Sequence, residues 1–328
     1  MTQIIGAIYK GHAFLVSDRL LTVSHRNDFK NFDKKANKAL VYRARDGILL
    51  IGYTGRAYLD GLPADQCMAN ALLGIEESRF PVAMTLPTSN LRWLDCGSVV
   101  RCLQAQLTKS FRHLRMKDRK MPYEVSVVGW RWRRHRRFML PFACEIIKPK
   151  GAFSDFRLQY ADRHWNWNKI CFFQINPDRP ERFKKALSKS IIDCNGLASP
   201  ENFERGIVQF IRSLRRKEPT VGDTCTVIRL NPRNRLHVAI RYADPATEGK
   251  VFAKSPGTKK VPIEAYTPFV LAPPTAWGPA IVHGGGSWAA VVGGSEVFRW
   301  GLEGLEREKK PTQFFWGSQR RPTDPERG

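Results

Sequence analysis

Apolar and polar residues alternate with a period of two along QIIGAIYKG and HAFLVSDRLLTVS, which predicts a β-hairpin turning at Lys10-Gly11. KALVYRARDGILLIGY repeats the pattern and predicts a second hairpin turning at Asp46-Gly47. After Gly55 the period changes. AYLDGLPADQCMANALL carries apolar residues at helical spacing, and in 98–114 Val99, Leu103, Leu107 and Phe111 fall four apart, so each segment predicts a helix. The stretch 80–97, with two prolines, reads as a connector. A second block of strands follows in YEVSVVGWRW, RFMLPFACEII, FRLQYA and KICFFQI. Two helices come next: DRPERFKKALSKSII starts at Asp178 with Pro180 in its first turn, and SPENFERGIVQFIRSLRRK has Ser199 as N-cap. TCTVIRL and RLHVAIRY close the block as a strand pair.

Strands and helix pairs that alternate in blocks imply an α+β fold in which packed sheets are covered by helix pairs. From about Ala243 the periodicity fades and Pro, Gly, Ser and Thr become frequent. Residues 1–242 are therefore expected to form the main domain and 243–328 a partly ordered C-terminal extension with a frayed tail.

Charge adds a second feature. The excess of 54 Lys+Arg over 30 Asp+Glu, a net +24, creates a field that would attract nucleic acid or an acidic protein. Part of it is concentrated in RHLRMKDRK (112–120), in SLRRK (213–217) and in RWRRHRR, where Arg131, Arg133, Arg134, Arg136 and Arg137 follow Trp130 and flank Trp132. Arginine and tryptophan interleaved in this way suit phosphate contact and base stacking, although on a strand the same alternation serves as the solvated face of a charged edge. The longest apolar runs are too short to span a bilayer, and no secretory signal opens the chain. Seven scattered cysteines without a C-x-x-C pair argue against a disulfide framework or zinc site. These features predict a cytoplasmic protein without membrane contact. The histidines share no metal spacing and no Walker or G-x-G-x-x-G element is present, so neither metal nor nucleotide cofactor is expected.

The chemistry sits at the start of the chain. Removal of Met1 would make Thr2 an amino-terminal threonine, whose hydroxyl is a nucleophile and whose free α-amine (reference pKa about 7.7–8.0) is a base near neutrality. Such a site needs a cation near the hydroxyl, a carboxylate to hold that cation and backbone N–H groups for the oxyanion. Asp18, Lys38 and Gly52 are candidates in that order: Asp18 stands 16 residues after Thr2 at the end of a strand, and Gly52 stands 14 after Lys38, which opens a strand.

A threonine, a hairpin, an Asp-Arg pair, a lysine opening a strand and a glycine turn into a helix resemble the N-terminal nucleophile hydrolases, specifically proteasome β-type subunits and their bacterial relatives. The two spacings are as in that family, and the likeness is motif-level over residues 2–60. Up to residue 242 it holds in the order of elements. The resemblance implies a four-layer αββα sandwich and cleavage of amide bonds, with peptide or protein as substrate. It gives Thr2 as nucleophile and base, Lys38 as the tuning cation, Asp18 as its holder and the Gly52 N–H as oxyanion donor. It implies a ring or other homo-oligomer and no cofactor. Thr220 and Asp223, in TVGDTCTVIRL, are the nearest candidates for a further hydroxyl and carboxylate of the family. The span from Asp18 to Lys38 is longer than in the family, so Lys34 and Lys35 compete for the lysine role. The alternative is a non-catalytic protein of the same fold that binds nucleic acid or an acidic partner through its basic surface.

Overall fold

Lys10 and Gly11 take positive φ, 45° and 75°, as a two-residue turn of type I′ requires, and join β1 (Ile4–Tyr9) to β2 (His12–Asp18). The computed structural model describes residues 3–25, 28–33, 36–76, 83–85, 92–133, 138–148, 152, 154–160, 171–174, 180–218, 220–231, 237–243, 264–278, 281–283, 287–291 and 300–303. Along the chain β3 (Leu21–His25), β4 (Asp28–Asp33), β5 (Ala39–Ala44), β6 (Gly47–Thr54), β7 (Tyr58–Leu59) and β8 (Leu62–Pro63) precede α1 (Ala64–Leu73). There follow β9 (Ala83–Thr85), α2 (Cys96–His113), the single turn α3 (Met116–Arg119), β10 (Tyr123–Arg133), β11 (Phe138–Lys148), β12 (Arg157–Tyr160) and β13 (Cys171–Gln174). Next come α4 (Pro180–Asp193), α5 (Pro200–Arg215), β14 (Cys225–Asn231) and β15 (His237–Ala243). The remaining strands are β16 (Glu264–Tyr266), β17 (Phe269–Ala272), β18 (Thr275–Trp277), β19 (Ile281–His283), β20 (Ser287–Val291) and β21 (Trp300–Glu303).

The arrangement is α+β. One sheet has seven strands in the order β13-β1-β2-β14-β15-β20-β21, and the other eight in the order β12-β11-β10-β6-β5-β17-β18-β9. Strand alternation divides the apolar side chains among three clusters. Ile5, Ala7, Phe14, Val16 and Val227 of the first sheet pack with Leu187 and Ile191 of α4 and Phe203, Ile207 and Ile211 of α5. Leu40, Tyr42, Leu49, Ile51, Val125 and Val127 of the second sheet pack with α1 and with Val99, Leu103, Leu107 and Phe111 of α2. The opposite faces of both sheets meet through Ile4, Leu15, Val41, Leu50, Val128, Trp130, Ile228 and Ile240. Each fully buried side chain of this size contributes roughly 1.5–3 kcal/mol of transfer free energy.

Three details differ from the sequence pattern. The second hairpin turns at Arg45-Asp46, with Ala44 opposite Gly47, one residue earlier than the Asp-Gly pair suggests. Gly47 is needed inside β6 instead, because a Cβ there would stand 2.4 Å from the Trp130 carbonyl oxygen. The long strand expected over HAFLVSDRLLTVS breaks after Asp18, and Leu21–His25 pairs with β4 as a separate ribbon. The extension is also part of the sheets: β17 pairs parallel to β5 and β20 pairs antiparallel to β15.

Asp95 caps α2, its Oδ1 accepting from Ser98 N at 2.8 Å. Asp95→Ala should cost about 1 kcal/mol, read as a lower urea midpoint with unchanged slope.

Candidate active site

β2 ends on Asp18, and Lys38 immediately precedes β5. The two strands lie in different sheets, so an ion pair here ties the sheets together at one end. Lys38 Nζ donates to Asp18 Oδ2 at 3.1 Å and to the Leu20 carbonyl at 2.6 Å. The side chains are 1% and 0% exposed. Asp18 also accepts three backbone N–H groups: Gln3 on Oδ1 at 2.8 Å, and Leu20 and Gly222 on Oδ2 at 3.3 and 3.1 Å. Burial pulls the Lys38 ammonium below its ordinary range, opposed by the Asp18 charge and hydrogen bond and, more weakly, by Cys225 and Asp33. Cys225 stands directly opposite Asp18 in the β2–β14 ladder.

Thr2 lies outside the described residues, as do Lys34 and Lys35. The amide that Asp18 holds at Gln3 is, covalently, the one joining residues 2 and 3. Among the described residues, Lys38 is the lysine brought to Asp18.

Gly52 is inside β6, with Ala39 on one side and Ser126 on the other. Tyr53 N–H donates toward β5, to the Lys38 carbonyl at 3.2 Å, so alternation turns the Gly52 N–H toward β10 and into the ladder. A Cβ at Gly52 would come within 3.0 Å of both Ile4 and Leu15, which accounts for the glycine by packing. Gly55, just past the strand with φ 108°, is at the open end of β6, and no described group accepts from its N–H.

The segment 220–225 reaches the pair through Gly222 rather than through the carboxylate expected there. Asp223 is drawn to the surface by α5: its side chain pairs with Arg215, and its carbonyl accepts from Arg212 Nε at 2.9 Å. Thr220 is buried, and its hydroxyl has no hydrogen-bond partner among the described residues.

Other contributors had no sequence signal. Asn37 bridges the start of β5 to α1 by donating to Asp65 Oδ2 at 2.9 Å, and its carbonyl accepts from the Tyr53 hydroxyl at 3.3 Å. Ile4, Ser17, Thr226 and Tyr242 form one row across β1, β2, β14 and β15, on the face turned toward the second sheet. The hydroxyls of Thr226 and Tyr242, and that of Ser126 on the second sheet, are buried without a partner among the described residues. Burial pushes the Tyr242 phenol up against the opposing charge of Arg19, whose guanidinium lies 5.7 Å from the ring centre. An unsatisfied buried hydroxyl costs about 1–3 kcal/mol, so several of them at one end of the inter-sheet space mark it as more than core.

The basic hairpin is arranged otherwise than base stacking requires. Trp130 is 1% exposed and belongs to the inter-sheet core, with Trp132 packed against it, which corrects the expectation that it stacks on bases. Arg131 points outward and is held by Asp46, Nε to Oδ2 at 2.6 Å. Arg134, Arg136, Arg137 and the side chain of Arg133 lie outside the described residues.

Among the described residues no His, Cys, Asp and Glu side chains gather in a metal-binding group of three, and no helix is long and apolar enough to cross a membrane. No family model matches the chain, and no curated protein matches it by sequence.

Proposed function

We propose that the chain is an amino-terminal threonine hydrolase cleaving amide bonds, peptides foremost, on a four-layer αββα sandwich. The layer reading is supported by the three apolar clusters, one joining the two sheets and one joining each sheet to a helix pair. The observation that carries the catalytic reading is the fully buried Lys38–Asp18 pair, whose carboxylate also holds the amide next to Thr2. A buried cation beside an amino-terminal hydroxyl lowers the cost of its deprotonation and keeps the neighbouring α-amine neutral.

In this mechanism Thr2 Oγ attacks the substrate carbonyl while the Thr2 α-amine takes its proton and passes it to the leaving nitrogen. Water, deprotonated by the same amine, then cleaves the resulting ester and restores the hydroxyl. Lys38 tunes the site electrostatically and Asp18 positions Lys38. The reaction requires no cofactor. The resemblance in the opening residues further suggests a homo-oligomer. Binding of nucleic acid or an acidic partner through residues 131–137 is less well supported, since Trp130 is buried and Arg131 already has a carboxylate.

Intact mass spectrometry should find the mature protein without Met1, and a peptide epoxyketone or boronate probe should modify Thr2. Thr2→Ala should abolish the adduct, and Lys38→Ala should slow its formation. Retention of Met1 throughout, or labelling that persists in Thr2→Ala, would overturn the proposal.

A further inference from the structure

Residues 96–123, which run through α2 and α3, contain a single acidic residue, Asp118. It is buried, and its carboxylate faces Arg56 at 3.5 Å. The same segment exposes Arg101, Lys109, Arg112, Arg115, Lys117 and Lys120, and none of these six has an ion pair among the described residues. Arg119 is occupied differently: its guanidinium donates to the carbonyls of Leu114 and Arg112 and closes the end of α2. The other helix pair carries acids among its cations: α4 exposes Lys184, Lys185 and Lys189 but ends on Asp193, and in α5 Glu201 and Glu204 hold Arg229.

The unneutralised cations also line a shape. An open groove of about 450 Å³ runs along α2 between Arg101, Gln104, Thr108, Lys109, Arg112 and His113. Arg101 and Arg112 are eleven residues apart and fall on nearly the same line of the helix, so at about 1.5 Å per residue they are separated by roughly 16 Å. That distance covers about five nucleotide steps of a strand in stacked, helical geometry, at ~3.4 Å each. Three of the side chains lining the groove, Arg101, Lys109 and Arg112, are cations, and no carboxylate is among the lining residues. Beyond the end of α2, Met116 and Met121 are 57% and 48% exposed among the cations, offering polarisable surface for base faces.

We propose that the α2–α3 face is a nucleic-acid-binding surface that grips the phosphate backbone of a single strand without reading its sequence. The site is on the outer face of the helix pair, its cations are not those of the 131–137 hairpin, and it stands whether or not Thr2 is catalytic. Four or so phosphate contacts predict that log affinity falls with log salt at a slope of about −3, or roughly 50-fold weaker binding between 50 and 200 mM salt.

The test measures fluorescence anisotropy of a labelled mixed-sequence single strand of about 20 nucleotides against the full chain over that salt range. Arg101→Gln/Lys109→Gln/Arg112→Gln removes three charges from the groove. Lys184→Gln/Lys185→Gln/Lys189→Gln removes three exposed charges from α4 and serves as the equal-charge control. Every substitution is at an exposed position, and far-UV circular dichroism checks that both variants remain folded. Binding in the α2 variant should weaken at least tenfold with a slope reduced by about two, while the α4 variant should change by less than threefold. Equal losses in both variants would show diffuse attraction by net charge and overturn the proposal. So would an unaffected α2 variant, or polyglutamate competing as strongly as the oligonucleotide.

Discussion

Asp18→Ala should destabilise the protein by about 3–5 kcal/mol, because it strands the Lys38 ammonium in a site from which water is excluded. The same change leaves three backbone N–H groups, those of Gln3, Leu20 and Gly222, without their acceptor. Lys38→Met should cost less, about 1–3 kcal/mol, since the Asp18 carboxylate keeps all three of those donors. The asymmetry has a consequence for the double variant. Once Asp18 is absent, removing the ammonium relieves an uncompensated charge, so Asp18→Ala/Lys38→Met should be more stable than Asp18→Ala alone. Urea unfolding of the three variants measures this directly, and the cycle isolates the coupling. If Lys38→Met proved the costlier single change, the carboxylate would depend on the lysine more than on the backbone, and the description of Asp18 as the hub would fail.

That hub also separates what was legible in the sequence from what was not. The two hairpins follow from local alternation of period two, whereas Asp18 and Lys38 stand out only through their joint spacing with Thr2 and Gly52 and the family resemblance that spacing carries. The cap Ser199 comes from the local level, since Pro200 and Glu201 follow it, whereas Asp95 caps α2 from within a stretch read as a connector. Gly222 is different. It contributes a backbone N–H from a segment 204 residues further along the chain, and no side-chain pattern signals such a donor. The parallel pairing of β17 with β5 is equally silent, because a short apolar run beyond a Pro- and Gly-rich stretch does not announce its partner.

Gly47 was read as a turn residue from the Asp-Gly pair, yet its role is to let the Trp130 carbonyl approach. For the Trp-Arg run two readings stood side by side, base stacking and the solvated face of a strand, and Trp130 and Arg131 follow the second: alternation puts one in the core and the other in solvent. Six exposed cations of α2, α3 and the residues around them have no ion pair among the described residues, and four of them, Arg112, Arg115, Lys117 and Lys120, belong to the basic run 112–120 that composition marks.

Glu124→Gln should stabilise the protein, and by more as the pH rises. Glu124 stands on β10 opposite Thr54 of β6, is 7% exposed, and its carboxyl makes no hydrogen bond or ion pair among the described residues. Burial, with the nearby Glu145 carboxylate adding repulsion, pushes its carboxyl from an ordinary 4.5 up to about 9. The folded chain therefore retains a proton that the unfolded chain releases above about pH 4.5, so unfolding gives up a proton throughout the window from 4.5 to 9. Stability contributed by this group is present below that window and falls by about 1.4 kcal/mol per pH unit across it. At pH 7 the deficit reaches about 3 kcal/mol at most, and the neutral amide of glutamine, similar in shape, does not incur it. Unfolding free energies for the two proteins should nearly coincide at pH 4.5 and separate progressively at pH 6, 7 and 8.5, with the variant above. A constant gap across that range would mean that Glu124 is charged in the folded protein, held by a cation and not by its own proton.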